Sequence, residues 1–160
     1  MQPHAEISVL EPFEALVGSW TTESIRQMYP STVVRGRSTF EWLEGKRFLI
    51  QRSVTDHPDF PDAMAVFGVT DEQLSMHYFD SRGAYRVYAV SFTKGTWRFW
   101  RDAPGFSQRF TGTVSDDGNT ITGLCGAVAR RLELGRRPRD HSSKSCVEAC
   151  VLFSPCDETR

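Results

Sequence analysis

Cysteine is absent from the first 123 residues of this chain, and aromatic side chains are nearly absent from the last 37. Eighteen of the nineteen Phe, Trp and Tyr residues precede Leu124, while Cys125, Cys146, Cys150 and Cys156 all follow Gly123. A secreted domain that depends on disulfides staples its core rather than its tail alone, so free thiols are the reading. Cys146-x3-Cys150 with Cys156 lacks a fourth ligand at motif spacing, and neither zinc nor any other metal is expected. No run approaches the ~18 consecutive apolar residues of a membrane span. Met1–Val9 carries no basic stretch followed by an apolar run, and a cytoplasmic location is expected. The net charge of −1 gives no reason to expect nucleic acid as a partner. Also missing are Gly-x-Ser-x-Gly, His-Glu-x-x-His and any glycine-rich phosphate loop, so no catalytic residue and no cofactor can be named.

What remains is a pattern of strands. The chain of 160 residues has room for one core. Leu10, Phe13, Leu16 and Val17 share one side of a short helical stretch that fits as a plug for an open barrel end. Extended runs then recur at about Trp20–Met28, Thr32–Trp42, Arg47–Thr55, Ala63–Thr70, Gln73–Asp80, Ala84–Phe92, Thr96–Arg101, Ser107–Ser115 and Thr120–Gly123. Glu44-Gly45, Ser81-Arg82-Gly83, Lys94-Gly95 and Asp116-Asp117-Gly118-Asn119 supply turn chemistry between them. Asp56 to Asp62 and Asp102 to Phe106 are longer, Pro-stiffened connections, each carrying a Phe that suits a lid or an ordinary packed loop. This predicts an all-β, antiparallel up-and-down barrel of nine to ten strands.

Period-2 alternation sorts the faces. Val34, Gly36, Ser38, Phe40 and Trp42 share one, with Val33, Arg35, Arg37, Thr39 and Glu41 on the solvent side. Arg86, Tyr88, Val90 and Phe92 share another, as do Trp97, Phe99 and Arg101. Large residues occupy both faces of these last two strands, and period alone leaves their inner face open. His77 and Asp80 fall on opposite faces of one strand. Arg52 and Arg109 sit in partly apolar strands, where a buried guanidinium would need a partner or an anion and an exposed one would not.

Gly18-Ser19-Trp20 resembles the Gly-x-Trp opening of the calycins, the superfamily of lipocalins and fatty-acid-binding proteins. Phe40-Glu41-Trp42-Leu43-Glu44-Gly45, Met76 to Gly83 and Trp100-Arg101-Asp102-Ala103-Pro104-Gly105-Phe106-Ser107-Gln108-Arg109-Phe110 add to it. Together they resemble an uncharacterised family of small bacterial lipocalin-like barrels over about residues 10–123. The resemblance implies a calycin-like barrel with a small hydrophobic or amphipathic ligand. Arg86-x-Tyr88 resembles the pair with which fatty-acid-binding barrels hold a carboxylate. The resemblance also implies two further closing strands, which residues 124–160 do not supply in recognisable form. The chain therefore divides into a barrel domain, 1–123, and an atypical, poorly ordered tail, 124–160. Either the tail is genuine and divergent, or a reading frame has slipped: CTG GAG CTG GGA CGT CGA CCT CGA GAT CAC encodes Leu132 to His141, and one base on it reads Trp-Ser-Trp-Asp-Val-Asp-Leu-Glu-Ile. With closing strands lost, an open sheet edge would invite a homodimer.

The expected function is binding of a small hydrophobic or amphipathic molecule. Candidate ligand contacts are Arg86 and Tyr88 for an acidic or polar head, Trp97 and Phe110 for its apolar part, Arg109 for charge, and His77 if it reaches the same cavity. The alternatives are an isomerase or hydratase on the same barrel using His77 with Asp80, or a haem-binding barrel with His77 as ligand.

Overall fold

The computed structural model of the chain describes residues 9–26, 29–104, 107–128 and 147–155, with the backbone alone at 26, 29–30, 127–128 and 147–155. A 3-10 helix, Glu11–Leu16, precedes ten strands: β1 Gly18–Arg26, β2 Tyr29–Trp42, β3 Phe48–Thr55, β4 Ala63–Thr70, β5 Gln73–Asp80, β6 Tyr85–Thr93, β7 Thr96–Arg101, β8 Ser107–Val114, β9 Ile121–Val128 and β10 Val147–Pro155. Each strand pairs antiparallel with its sequence neighbour, and β10 returns to β1 to close the barrel. The all-β, up-and-down reading of the sequence holds.

Alternation places one face of each strand inside. Phe40, Leu49, Phe67, Met76, Val90, Phe92, Trp97, Phe110 and Ile121 are all buried. The helix caps one end by inserting Phe13, whose ring lies 5.7 Å from Phe67 and 5.4 Å from Phe92. Trp20 fixes that cap to the sheet, since its indole Nε1 donates to the Leu16 carbonyl at 2.7 Å. The rings near this end fill the barrel cross-section, with Trp97 at 5.0 to 6.0 Å from Phe40, Phe67, Phe99 and Phe110. Two glycines make room for the last of these. Gly112 and Gly123 are paired across β8 and β9, and a Cβ on Gly123 would come within 2.4 Å of the Phe110 ring.

The expectation of an unclosed barrel is corrected. β9 runs past Gly123 to Val128. Trp20 to Arg26 pair with Pro155 back to Ala149, and Val147 to Phe153 pair with β9. Backbone groups seek ladder partners whatever the side chains, and Val147 to Phe153 contains Val, Cys, Val, Leu and Phe, all compatible with a strand. Both edges that an open-edge dimer would use are thus covered by β10. The arginine cluster at 136–139, the segment 132–141, Cys146 and Cys156 lie outside the described residues.

One tight turn departs from the usual chemistry. Asp71 and Glu72, joining β4 to β5, both take positive φ, at 51° and 64°. Such hairpins suit the twist of the strands but favour Asn or Gly at both central positions. Glu in the left-handed region carries a Cβ penalty of about 1–2 kcal/mol. Glu72→Gly is therefore expected to raise stability by about 0.5–1 kcal/mol after the added chain entropy is counted. Chemical denaturation will check it, and a loss of stability would show that Glu72 makes a compensating interaction. Truncation after Val128 should expose the β1 and β9 edges, lower the melting temperature and cause association. A monomeric, equally stable truncation would show that β10 contributes nothing to the barrel.

Candidate functional site

The barrel interior changes character between its ends. Toward the helix it is aromatic, and toward the β5–β6 and β7–β8 turns it becomes polar. Strand register brings the polar side chains together. Tyr78 of β5 pairs with Arg86 of β6, and Ala89 pairs with Trp100, which sets Tyr88 beside Arg101. Arg101 in turn pairs with Gln108 of β8, and Cys125 pairs with Phe110. Arg86, Tyr88, Arg101, Gln108 and Cys125 share the inner parity of their strands with buried Val90, Trp97, Phe110 and Ile121.

These groups form a hydrogen-bonded chain. The Tyr88 hydroxyl donates to Gln108 Oε1 at 2.7 Å, and Gln108 Nε2 donates to Cys125 Sγ at 3.0 Å. Burial pushes the Tyr88 phenol's pKa up, opposed by the nearby Arg86 and by the charge of Arg101. The phenol therefore stays a neutral donor to the Gln108 amide oxygen. Beneath it lies an aromatic floor, with Phe99 edge-on to Tyr88 at 5.4 Å and stacked on Phe110 at 4.6 Å.

Beside this chain, Asp80 organises the rim. Its carboxylate is inaccessible to solvent and accepts from the backbone N–H groups of Arg82 and Ala84. It also takes the Tyr78 hydroxyl at 3.1 Å and the Arg82 guanidinium at 3.0 Å. The Arg82 bond, aided by the backbone donors, holds its carboxyl down at about 2 against the loss of hydration. Burial, then the Asp80 charge, pushes Tyr78 up to about 12.

The other candidates fall elsewhere. His77 lies on the outer face, where Nδ1 hydrogen-bonds the Tyr85 hydroxyl at 3.0 Å and the two rings stack. It does not share the interior with Arg86, and Asp80 on the inner face is not its partner. Arg109 also points outward and pairs with Asp102 at 3.1 Å, while Arg52 pairs with Glu41. Trp97 and Phe110 belong to the packed core. Phe60, on the β3–β4 loop, lies edge-on to His57, and Phe106 lies outside the described residues. Among the described residues, no cluster of His, Cys, Asp or Glu is arranged to hold a metal.

A separate groove of about 620 Å³ opens on the outer face of β1, β2 and β3, bounded by Thr21, Glu23, Arg35, Arg37, Val54 and Asp56. Glu23 engages Arg35 across it at 3.1 Å. Gly36 underlies the groove because an added Cβ would lie 2.2 Å from the Val54 carbonyl oxygen. The groove gathers no chain of buried polar groups like that inside the barrel.

No family model and no curated protein matches the chain. A solved structure does: Rv2717c from M. tuberculosis superposes with a TM-score of 0.60 at 14% identity, over 93% of this chain and 98% of that one. The two share a barrel fold. No described helix is long and apolar enough to cross a membrane.

Asp80 gives the site a pH signature. Its carboxyl is lower in the folded chain than the ordinary 3.8, so its stabilising effect is present above that value and is lost as pH falls toward about 2. Asp80→Asn should be less stable than the parent at pH 6, with the gap closing between pH 3.8 and about 2. Denaturant titrations across that range will decide. A gap that stays constant would mean that Asp80 acts through shape rather than charge.

Proposed function

We propose that this barrel binds a small amphipathic molecule at its polar end, with an acidic head held by Arg86, Arg101 and Tyr88. The observation that carries the reading is the register, which gives Arg86, buried Tyr88 and Arg101 the same inner parity on neighbouring strands, with Phe99 edge-on to Tyr88. A guanidinium fork matches an anionic oxygen pair, and its bonds to an ion are roughly twice as strong as neutral ones. Stability alone gives little reason to bring half-buried charges into a barrel interior. The aromatic half is filled by packed rings, so a short or flat apolar body suits the barrel better than a long acyl chain. Phe99 and Tyr88 offer ring faces and edges to such a body.

The up-and-down order and the Gly18-Ser19-Trp20 entry, with Trp20 bound to the helix cap, support a calycin-like reading of the barrel. A cytoplasmic, non-catalytic binding role is the one we adopt. Arg86→Met keeps much of the apolar stem while removing the charge. Affinity for a fluorescent carboxylate such as naphthalene-1-acetate should fall by about 1.5–3 kcal/mol. Fluorescence titration on the parent and the variant is the measurement, and equal affinity in both would overturn the role given to Arg86.

A further inference from the structure

We propose that the outer face of β4, β5 and β6 is the contact by which two copies of this chain form a two-fold dimer. The proposal is independent of the binding reading above and concerns the opposite side of the sheet. Strand register gathers apolar side chains there in two rows. Met64 pairs with Phe79 and Phe79 with Tyr85, while Ile50, Val66, His77 and Val87 follow one another across β3 to β6. Met64, Phe79, Val87 and Tyr85 stay 38%, 40%, 43% and 57% exposed, so the fold itself leaves this apolar surface in water. Phe79 and Tyr85 are the two aromatic residues among the large, mostly exposed apolar side chains described, and they are neighbours. Trp100 of β7, turned outward by its spacing from buried Trp97, extends the patch toward β8. A contiguous apolar face with a polar rim marks a site of association.

The face is already arranged for burial. Phe79 stacks on Tyr85 at 5.1 Å, and the Tyr85 hydroxyl is bonded to His77 Nδ1 at 3.0 Å. Nε2 of the same imidazole lies 3.5 Å from the Thr70 hydroxyl. Rings already held lose little freedom on association, and polar groups already bonded need no partner across the contact. Strands about 4.8 Å apart, rising about 3.4 Å per residue, give the patch from β3 to β7 an area of about 300–400 Å². That suits the apolar core of a stable interface of about 800 Å² per partner, the remainder being polar rim. The rim is present, with Arg52 paired to Glu41 on the β3 side and Arg109 to Asp102 at 3.1 Å on the β8 side. These pairs neutralise themselves, so the face has no net charge to select a partner of opposite sign and none to repel its own copy. A second copy brings the same apolar chemistry, and a two-fold contact uses the patch twice. Because β10 closes the sheet, association has a face rather than an edge to use.

The test is sedimentation velocity on the full chain from about 1 to 100 µM, a range that covers the weak end of affinities for a standard interface. A monomer–dimer equilibrium with no larger species is expected, and it should persist at about 1 M salt, where surface charges are screened within about 3 Å. Val87→Lys sets two like charges into the closed contact and should weaken the dimer at least about tenfold. Val54→Lys adds the same charge to a residue 51% exposed on β3, two positions beyond Arg52 and outside the patch, and should leave the dimer unchanged. Tyr85→Lys, at the most exposed position of the face, replaces Val87→Lys if that variant melts below the parent. A monomer throughout the range would overturn the proposal, as would a dimer that survives both lysines in the patch or one that Val54→Lys disrupts equally. Growth beyond the dimer would also overturn it, since a two-fold contact closes on itself. A monomer that instead binds phosphatidylcholine vesicles, with Val87→Lys abolishing that binding, would assign the face to a lipid surface and exclude the second copy.

Discussion

Filling the barrel is the constraint on which the rest depends. A closed sheet of ten strands encloses more volume than small aliphatic residues occupy, and protein interiors do not tolerate that space empty. Trp97 and the rings around it solve the problem at the helix end, with Phe13 brought in from outside the sheet as the last piece. Gly112 and Gly123 are the cost of the solution, because the Phe110 ring occupies the space their side chains would need. Once that half is packed, the interior positions left over are at the other end. Those positions carry Arg, Tyr, Gln and Cys.

Much of this arrangement was legible in the strand pattern, and its limits were those of parity. Arg86 and Tyr88 were placed on one face because residues two apart must share one. Which face that was could not be read from β6 and β7 alone, since large residues lie on both. The register decided it by setting Phe92 against Trp97 and Tyr78 against Arg86. Parity also separates neighbouring residues. Arg109 and Phe110 are adjacent on a regular strand and cannot both face inward, and His77 stands in the same relation to Met76 and Tyr78. Gln108 was findable by the same rule, two residues before Phe110, but its role emerges only when Tyr88 reaches it across β7.

The closing strand was missed for a different reason. Residues 124–160 hold no recognisable counterpart of the closing strands that the resemblance implies, and the aromatic residues that mark the earlier strands nearly vanish there. The pairing uses Val147–Pro155, beyond the change in composition at Gly123. A β-ladder asks of the sequence mainly that it avoid proline and tolerate extension, which is a weak demand. Aromatic content marks where the core is supplied, not where the sheet ends.

The polar end is then best understood as a set of interactions graded by how completely they are satisfied within the fold. Asp80 is saturated by four donors and acts on the turn. Tyr88 and Gln108 satisfy each other and hold a wall in position. Arg86 and Arg101 share the inner parity of Tyr88, and their charges act against the burial that raises its pKa. A wall already held by the Tyr88–Gln108 bond needs no further ordering, which under the proposed reading lowers the entropy lost when a ligand binds. A neutral amide at either position would preserve the hydrogen-bond chain while removing the attraction, which separates the structural part of this network from the part that recognises charge.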